Sequence, residues 1–280
     1  MASQQNFDLH CHSWISDGML SPQDLVARAH ANGVDVLALT DHDEIAGLAD
    51  AAAAAAELGM GFVPGVEISV TWANETVHIV GLQVDPTNAV LDAGLRATRS
   101  GRERRGREMA DQLAAVGIPG AFEGALRHAG NPDLIGRTHF ARYMVEQGIC
   151  QDVREVFQRF LIDGKPGYAP MRWASLADAV GWIRGAGGMA VIAHPGRYDY
   201  TPVQFHALFE EFLGLGGVGI EVITGSHTPD QYREYAQVAA SYGFLASRGS
   251  DFHGPTESRV DLGSLPPLPD HLAPVWRDWA

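Results

Sequence analysis

Lysine is nearly missing from this chain: of its 20 basic residues all are arginine except Lys165. Cysteine is almost as scarce, and the two present, Cys11 and Cys150, suggest no disulfide framework. Positive charge is short overall. A formal net charge of -14 argues against a general binder of duplex DNA or of anionic membranes. No stretch approaches the ~20 apolar residues of a membrane span. The opening MASQQNFDLH lacks the basic and apolar regions of a leader. A soluble protein in a reducing, cytoplasmic setting is the expectation.

What the chain has in quantity is ligand chemistry: 34 carboxylates and 12 histidines, a large stock of donors for hard and borderline cations. At 280 residues and 46% hydrophobic it can bury one large core, an ordinary size for a single α/β barrel.

The first third alternates strand and helix signals. NFDLHCH reads as a strand. SPQDLVARAHANG reads as a helix capped by Ser21, with Pro22 in its first turn and Gly33 as the stop. VDVLALTDHD reads as a buried strand, the alanine-rich segment ending at Gly59 as a helix, and GFVPGVEISV and TVHIVGLQV as two more strands. The last 110 residues repeat the alternation, for seven strands in all. Short apolar strands separated by helices predict a parallel sheet closed, or nearly so, into a barrel. Between the two halves the rhythm changes. The expected division is a discontinuous barrel of residues 1–94 and 169–280, interrupted by a helical cap at 95–168. That insert holds 12 basic and 9 acidic residues, net +3, which leaves the remainder at -17. Arg–Glu pairs at helical spacing account for most of these charges on a solvated face. The others can face an anionic substrate over an acidic barrel mouth.

Ligand-type residues fall at the strand ends. His10 and His12 end the first strand, Asp41 and His42 the second, and Glu67 lies near the end of the third. His78 lies within the fourth, His194 closes MAVIAHP, and Asp251 and His253 close ASRGSDFHG. In parallel α/β barrels the C-terminal rim gathers the βα loops around one axis, and chemistry sits there. Unpaired, such groups would cost several kcal/mol each in desolvation, and a cluster of cations is the simplest compensation. Any one of these histidines alone would read as a hydrogen-bonded structural residue, as His30, His128, His206 and His271 do.

DLHCHSWISDG, TDHD, GVEIS, VHIVGL, AHP and GSDFHG, in this order and spacing, resemble the motifs of the polymerase and histidinol phosphatase (PHP) family of metal-dependent phosphoesterases. The resemblance implies an amidohydrolase-like, distorted seven-stranded β/α barrel holding two to three divalent cations, Mn before Fe or Zn. By that similarity one cation would be held by His10, His12, Glu67 and Asp251. A second would share Glu67 and add His78 and His194. A third would take Asp17, His42 and His253, with Asp8 and Asp41 orienting imidazoles from behind. Glu67 and Asp17 would thus serve the catalytic centre directly.

GRTHFA at 136–141 and HPGRY at 194–198 are similar to the branch of the family that contains 3′,5′-nucleoside bisphosphate phosphatases and 5′–3′ exoribonucleases. That similarity implies phosphate contacts from Arg137, His139 and Arg197, with His227 a further candidate for substrate binding or catalysis. A small nucleotide is then the expected substrate and short RNA the alternative. A metal water, His227 or Asp43 could protonate the leaving group. Histidinol phosphate ranks lower, because no carboxylate is visibly reserved for its ammonium group. A non-catalytic metal-binding interaction module ranks lower too, because no ligand position is lost.

Overall fold

In the computed structural model, which describes residues 5–279, seven strands form one sheet in sequence order. β1 (Phe7–Asp8), β2 (Val36–Leu39) and β3 (Gly61–Trp72) run parallel. β4 (Glu75–Leu82) turns back antiparallel to β3 and lies antiparallel to β5 (Met189–Ile192) on its other side. β5, β6 (Gly219–Thr224) and β7 (Leu245–Gly249) are again parallel.

The expectation of a parallel sheet is therefore corrected at β4. Ala73 and Asn74 both take positive φ, 48° and 67°, the two-residue turn whose twist matches a hairpin. Neither is glycine, so the turn hides in the sequence. The reversal matters for the site. It sets His78 opposite Ser69, two residues beyond Glu67, so a mid-strand histidine reaches the same rim as the strand ends.

The barrel closes where the chain after β1 meets the end of β7 and the chain that follows it. There the Leu9 amide donates to the Arg248 carbonyl, the Asp251 amide to His10 and the His12 amide to Phe252. Inside, Phe7, Leu9, Val63, Val80, Leu82 and Val191 form a buried plug. The proline-rich tail packs on the barrel: Val275 is buried against that plug and Trp276 stacks on Phe7 at 4.2 Å. The buried Arg248 ties both chain ends together through the carbonyls of Phe7, Leu265 and Pro266.

α1 (Pro22–Ala31), capped by the Ser21 hydroxyl, and α2 (Leu48–Leu58), stopped by a left-handed Gly59, flank β2 and β3. Then come α3 (Ala89–Arg99), α4 (Arg102–Ala115), α5 (Ala121–Leu126), α6 (Arg137–Glu146) and α7 (Val153–Val156). α8 (Leu176–Gly185), α9 (Pro202–Gly214) and α10 (Pro229–Tyr242) complete the outer layer, each opened by a Ser or Thr cap. Leu91 and Leu95 of α3 share the barrel core with Val180 and Ile183, and Gly94 lies flat against the Trp182 ring. From α4 onward the inserted helices have a core of their own, including Met109, Leu113, Phe140, Met144 and Leu161.

Candidate metal centre

Glu67 is the hub of the barrel mouth. It is fully buried, and its Oε1 lies 2.9 Å from His78 Nδ1 and 3.0 Å from His194 Nε2. Its Oε2 lies 3.3 Å from both His10 Nε2 and His12 Nε2 and 3.0 Å from His42 Nδ1. Five imidazoles from four separate chain segments thus converge on one carboxylate. Asp251 Oδ1 approaches His12 Nε2 at 3.3 Å and His10 Nε2 at 3.5 Å. Asp17 Oδ1 approaches His253 Nε2 at 3.4 Å and His42 Nε2 at 3.9 Å. All nine expected ligand residues meet here.

The backbone is bent to make this possible. Asp43, His194 and Asp251, at three of the strand ends, have positive φ of 51°, 26° and 55°. Non-glycine residues hold such conformations at a cost of about 1–3 kcal/mol each, and only where the surroundings enforce them. At His194 the enforcing group is Glu221: its Oε2 accepts the His194 amide at 2.6 Å, and its Oε1 meets His10 Nδ1 at 2.7 Å.

The electrostatics favour cations. Burial would raise the pKa of Glu67, Asp251 and Asp17, yet the surrounding imidazoles hold all three well below the usual carboxylate range. Burial pushes the His12 imidazole down, but Asp251 and Glu67 outweigh it and lift the group to about 10. His194, buried and beside Arg197, is pushed down to about 3. Four buried polar atoms, His12 Nδ1, His42 Nδ1, Asp17 Oδ1 and Glu67 Oε2, have no hydrogen-bond partner. Orphans in that number are rare in a folded interior. Donor atoms of His10, Glu67 and His194, of His10, His12 and Asp251, of His42, Glu67 and His78, and of His12, Asp17, His42 and His253 lie within 4.8 Å of one another in each group. Imidazole nitrogens mixed with carboxylate oxygens, and no thiolate, suit divalent Mn, Fe or Zn. The residues fit such ions.

Above this floor opens a cavity of about 130 Å³. Its walls include Arg102, Arg105, Arg137 and Arg197 together with Phe157, Trp173 and Thr138. Arg197 donates to Asp251 Oδ2 at 3.2 Å, and the Arg137 guanidinium lies over the Phe157 ring at 5.5 Å.

Several expectations are corrected. His139 is fully buried, accepts the Gly136 amide on Nδ1 at 3.0 Å and does not line the cavity; it caps α6. His227 has both nitrogens engaged by backbone, Nε2 with the Gly196 amide at 2.9 Å and Nδ1 with the Val222 carbonyl at 3.2 Å, and it too is absent from the cavity wall. Asp43 is fully buried, pairs with Arg102 and accepts from Ser69, so it is not free to protonate a leaving group. Asp8 accepts the amides of Ser250 and Gly263, and Asp41 accepts from Ser13 and Ser16. Both carboxylates brace loops and touch no imidazole.

The group that does orient an imidazole is Glu221, a carboxylate inside the apolar run GIEVI, and that misplacement is the signal that could have found it. Arg102 and Arg105 are further cavity residues that the motifs do not single out among the inserted arginines. They occupy the buried stripe of α4 shared with Met109 and Leu113, where a charge is out of place.

Comparison with known proteins agrees with this geometry. The PHP domain family matches residues 8–159. A 3′,5′-nucleoside bisphosphate phosphatase of Chromobacterium violaceum is 52% identical over 273 residues, covering 98% of this chain and 96% of the relative. A 5′–3′ exoribonuclease of Haemophilus influenzae is 42% identical over 272 residues, covering 97% and 98%. Among solved structures, an amidohydrolase from C. violaceum with bound sulfate and no metal superposes with a TM-score of 0.95 at 52% identity, covering 97% of this chain and 95% of that one. A metal-dependent phosphoesterase structure from Bifidobacterium adolescentis gives 0.82 at 29% identity, covering 97% and 93%. With the family matched over more than half of its length and its relatives aligned end to end, the chain belongs to the PHP domain family of metal-dependent phosphoesterases.

Proposed function

We propose that this chain removes the 3′-phosphate from nucleoside 3′,5′-bisphosphates, with two to three divalent cations, Mn before Fe or Zn, held by His10, His12, Asp17, His42, Glu67, His78, His194, Asp251 and His253. The observation that carries this reading is a single cavity with two chemistries, a floor of imidazole and carboxylate donors and a wall of four arginines. A phosphate ester resists hydrolysis because an anion repels the nucleophile and an alkoxide leaves poorly. Cations bound on the floor would polarise phosphoryl oxygens and acidify water.

The chain's own groups do the rest. Glu67, with its two oxygens facing different sets of imidazoles, would be shared between cations and fix their relation. Arg197, beside Asp251, would neutralise the reacting phosphoryl group at the edge of the floor. Arg137 would contact phosphate from the start of α6, where a planar guanidinium can make two parallel hydrogen bonds. Binding energy from a phosphate that does not react can position the one that does. The carboxylates lining the cavity, Asp17, Glu67 and Asp251, all belong to the floor, which leaves none for the ammonium group of histidinol phosphate.

A second reading, 5′–3′ trimming of short RNA, is favoured by the end-to-end similarity to the H. influenzae exoribonuclease. Phosphate release from nucleoside 3′,5′-bisphosphates, nucleoside 5′-monophosphates, histidinol phosphate and 5′-phosphorylated oligoribonucleotides separates these readings. The bisphosphate is expected to give the highest kcat/KM. Arg137→Ala should raise KM for it by about tenfold, the worth of one charge-assisted contact. An equal effect on every substrate would remove Arg137 from recognition.

A further inference from the structure

Two side chains one turn apart on α6, Thr138 and Arg142, reach down to the turn that carries Asp17. The Thr138 hydroxyl donates to Asp17 Oδ2 at 3.0 Å, and Arg142 Nη2 donates to the Asp17 carbonyl at 2.6 Å. The same guanidinium forks onto Glu257, Nε to Oε1 at 2.7 Å and Nη2 to Oε2 at 2.8 Å, and so grips the loop that follows His253. Both charged groups are largely buried. The two loops also touch each other, the Met19 amide donating to the His253 carbonyl at 2.7 Å. A third grip falls beside His42: Arg99 donates to the Asp43 carbonyl at 2.9 Å, and Arg102 pairs with the Asp43 carboxylate.

Asp17, His42 and His253 are thus each held, directly or through a near neighbour in sequence, by residues of the inserted segment. Barrel groups position the others. Glu221 holds His10 and the His194 amide, the Tyr198 hydroxyl accepts the His78 amide at 2.9 Å, and the His12 and Asp251 amides bond across the seam of the barrel. Asp41 steadies the Asp17 turn from the barrel side through Ser13 and Ser16, but at Asp17 itself both the side chain and the carbonyl are taken by α6. The Thr138 bond divides that carboxylate. Oδ2 is engaged, while Oδ1 faces His253 Nε2 at 3.4 Å and His42 Nε2 at 3.9 Å, buried and without a hydrogen-bond partner.

We infer that the inserted helices complete one cation site of the floor, the group Asp17, His42 and His253, and that Arg142 and Thr138 are the positioning residues through which α6 does so. The inference rests on the floor being a cation centre, as proposed above. Groups behind metal-binding side chains govern affinity by roughly 10–100-fold without touching the ion. Arginine suits the task because its planar fork fixes two loops at once, which a lysine ammonium on a flexible stem would not. Linkage makes the effect mutual: whatever seats α6 strengthens this site, and a cation in it holds α6 down. The insert is then part of the cation centre as well as a wall of the cavity.

Calorimetric Mn titration of the chelated full chain tests this. Wild type should bind a third equivalent. Arg142→Met and Glu257→Gln should each weaken one equivalent by about tenfold or more and leave the others within about twofold. Thr138→Val, which removes one hydroxyl at nearly constant shape, should weaken the same equivalent by about fivefold, the worth of one hydrogen bond, and it decides the matter if Arg142→Met folds poorly. Phosphate release lost by the variants at low Mn should return at high Mn, a rescue that a merely structural defect would not show. Unchanged affinity in the variants that fold, a loss spread evenly over all equivalents and not rescued by Mn, or wild type that saturates at about two equivalents overturns the inference and leaves the phosphatase reading standing. Wild type that binds less than about one equivalent removes the cation floor itself and takes both readings with it.

Discussion

Glu221 shows how one buried side chain governs several candidate ligands. One oxygen holds His10 by Nδ1 and so turns its Nε2 toward Glu67 and Asp251; the other holds the His194 amide in a left-handed turn. Carboxylates behind metal-binding imidazoles fix the ring and raise its basicity, and losing one typically costs 10–100-fold in metal affinity. Glu221→Gln keeps the size but weakens the acceptor. It should lower the affinity for Mn by about tenfold or more, measured by calorimetric titration of chelated protein. Unchanged affinity would reduce Glu221 to a brace for the turn. The residues that converge at the barrel mouth were legible in the sequence, because imidazoles and carboxylates at successive strand ends have no use in a packed core. Glu221 was not, since a single carboxylate within a strand carries no spacing signal.

At the scale of elements, two histidines read as substrate contacts turn out to hold chain ends in place. His139 closes the start of α6, and His227, ahead of α10, clamps the turn that follows His194. Their neighbours in sequence, GRTH and GSHTP, look alike whether the imidazole faces a ligand or a backbone amide, so the distinction needed three dimensions. Burial pushes both down to about 4. Below pH 6.5 the unfolded chain takes up these protons and the folded chain does not until about pH 4. Their contribution is therefore full above pH 6.5 and lost as pH falls through 4, on the order of 3 kcal/mol each. The urea midpoint should drop between pH 7 and pH 4.5, and His227→Gln should drop less steeply than wild type. An identical pH dependence in the variant would contradict this role. The reversal of β4 was illegible for a related reason: Ala73 and Asn74 form a hairpin turn without glycine, and apolar strands alternate the same way whichever direction they run.

Across the whole molecule, charge is divided by function. The sequence segment 95–168 is net +3 and the rest is -17, and the cavity lies where the two meet, with Arg102, Arg105 and Arg137 from the inserted helices facing Asp17, Glu67 and Asp251 of the barrel. The composition showed that division but not which arginines use it; of the eleven inserted arginines only three, Arg96, Arg107 and Arg159, pair with a carboxylate four residues earlier, which corrects the expectation that such pairs account for most of them. The claim beneath all of this is that the floor gathers its ligands around divalent cations. Elemental analysis of the purified chain tests it most directly, paired with the same analysis of Glu67→Ala. Wild type should carry about two to three equivalents of divalent metal per chain, and Glu67→Ala at most about one, because the shared carboxylate is gone. Wild-type protein that holds less than about one equivalent even after incubation with Mn, and still hydrolyses phosphate esters in the presence of chelator, would contradict the account.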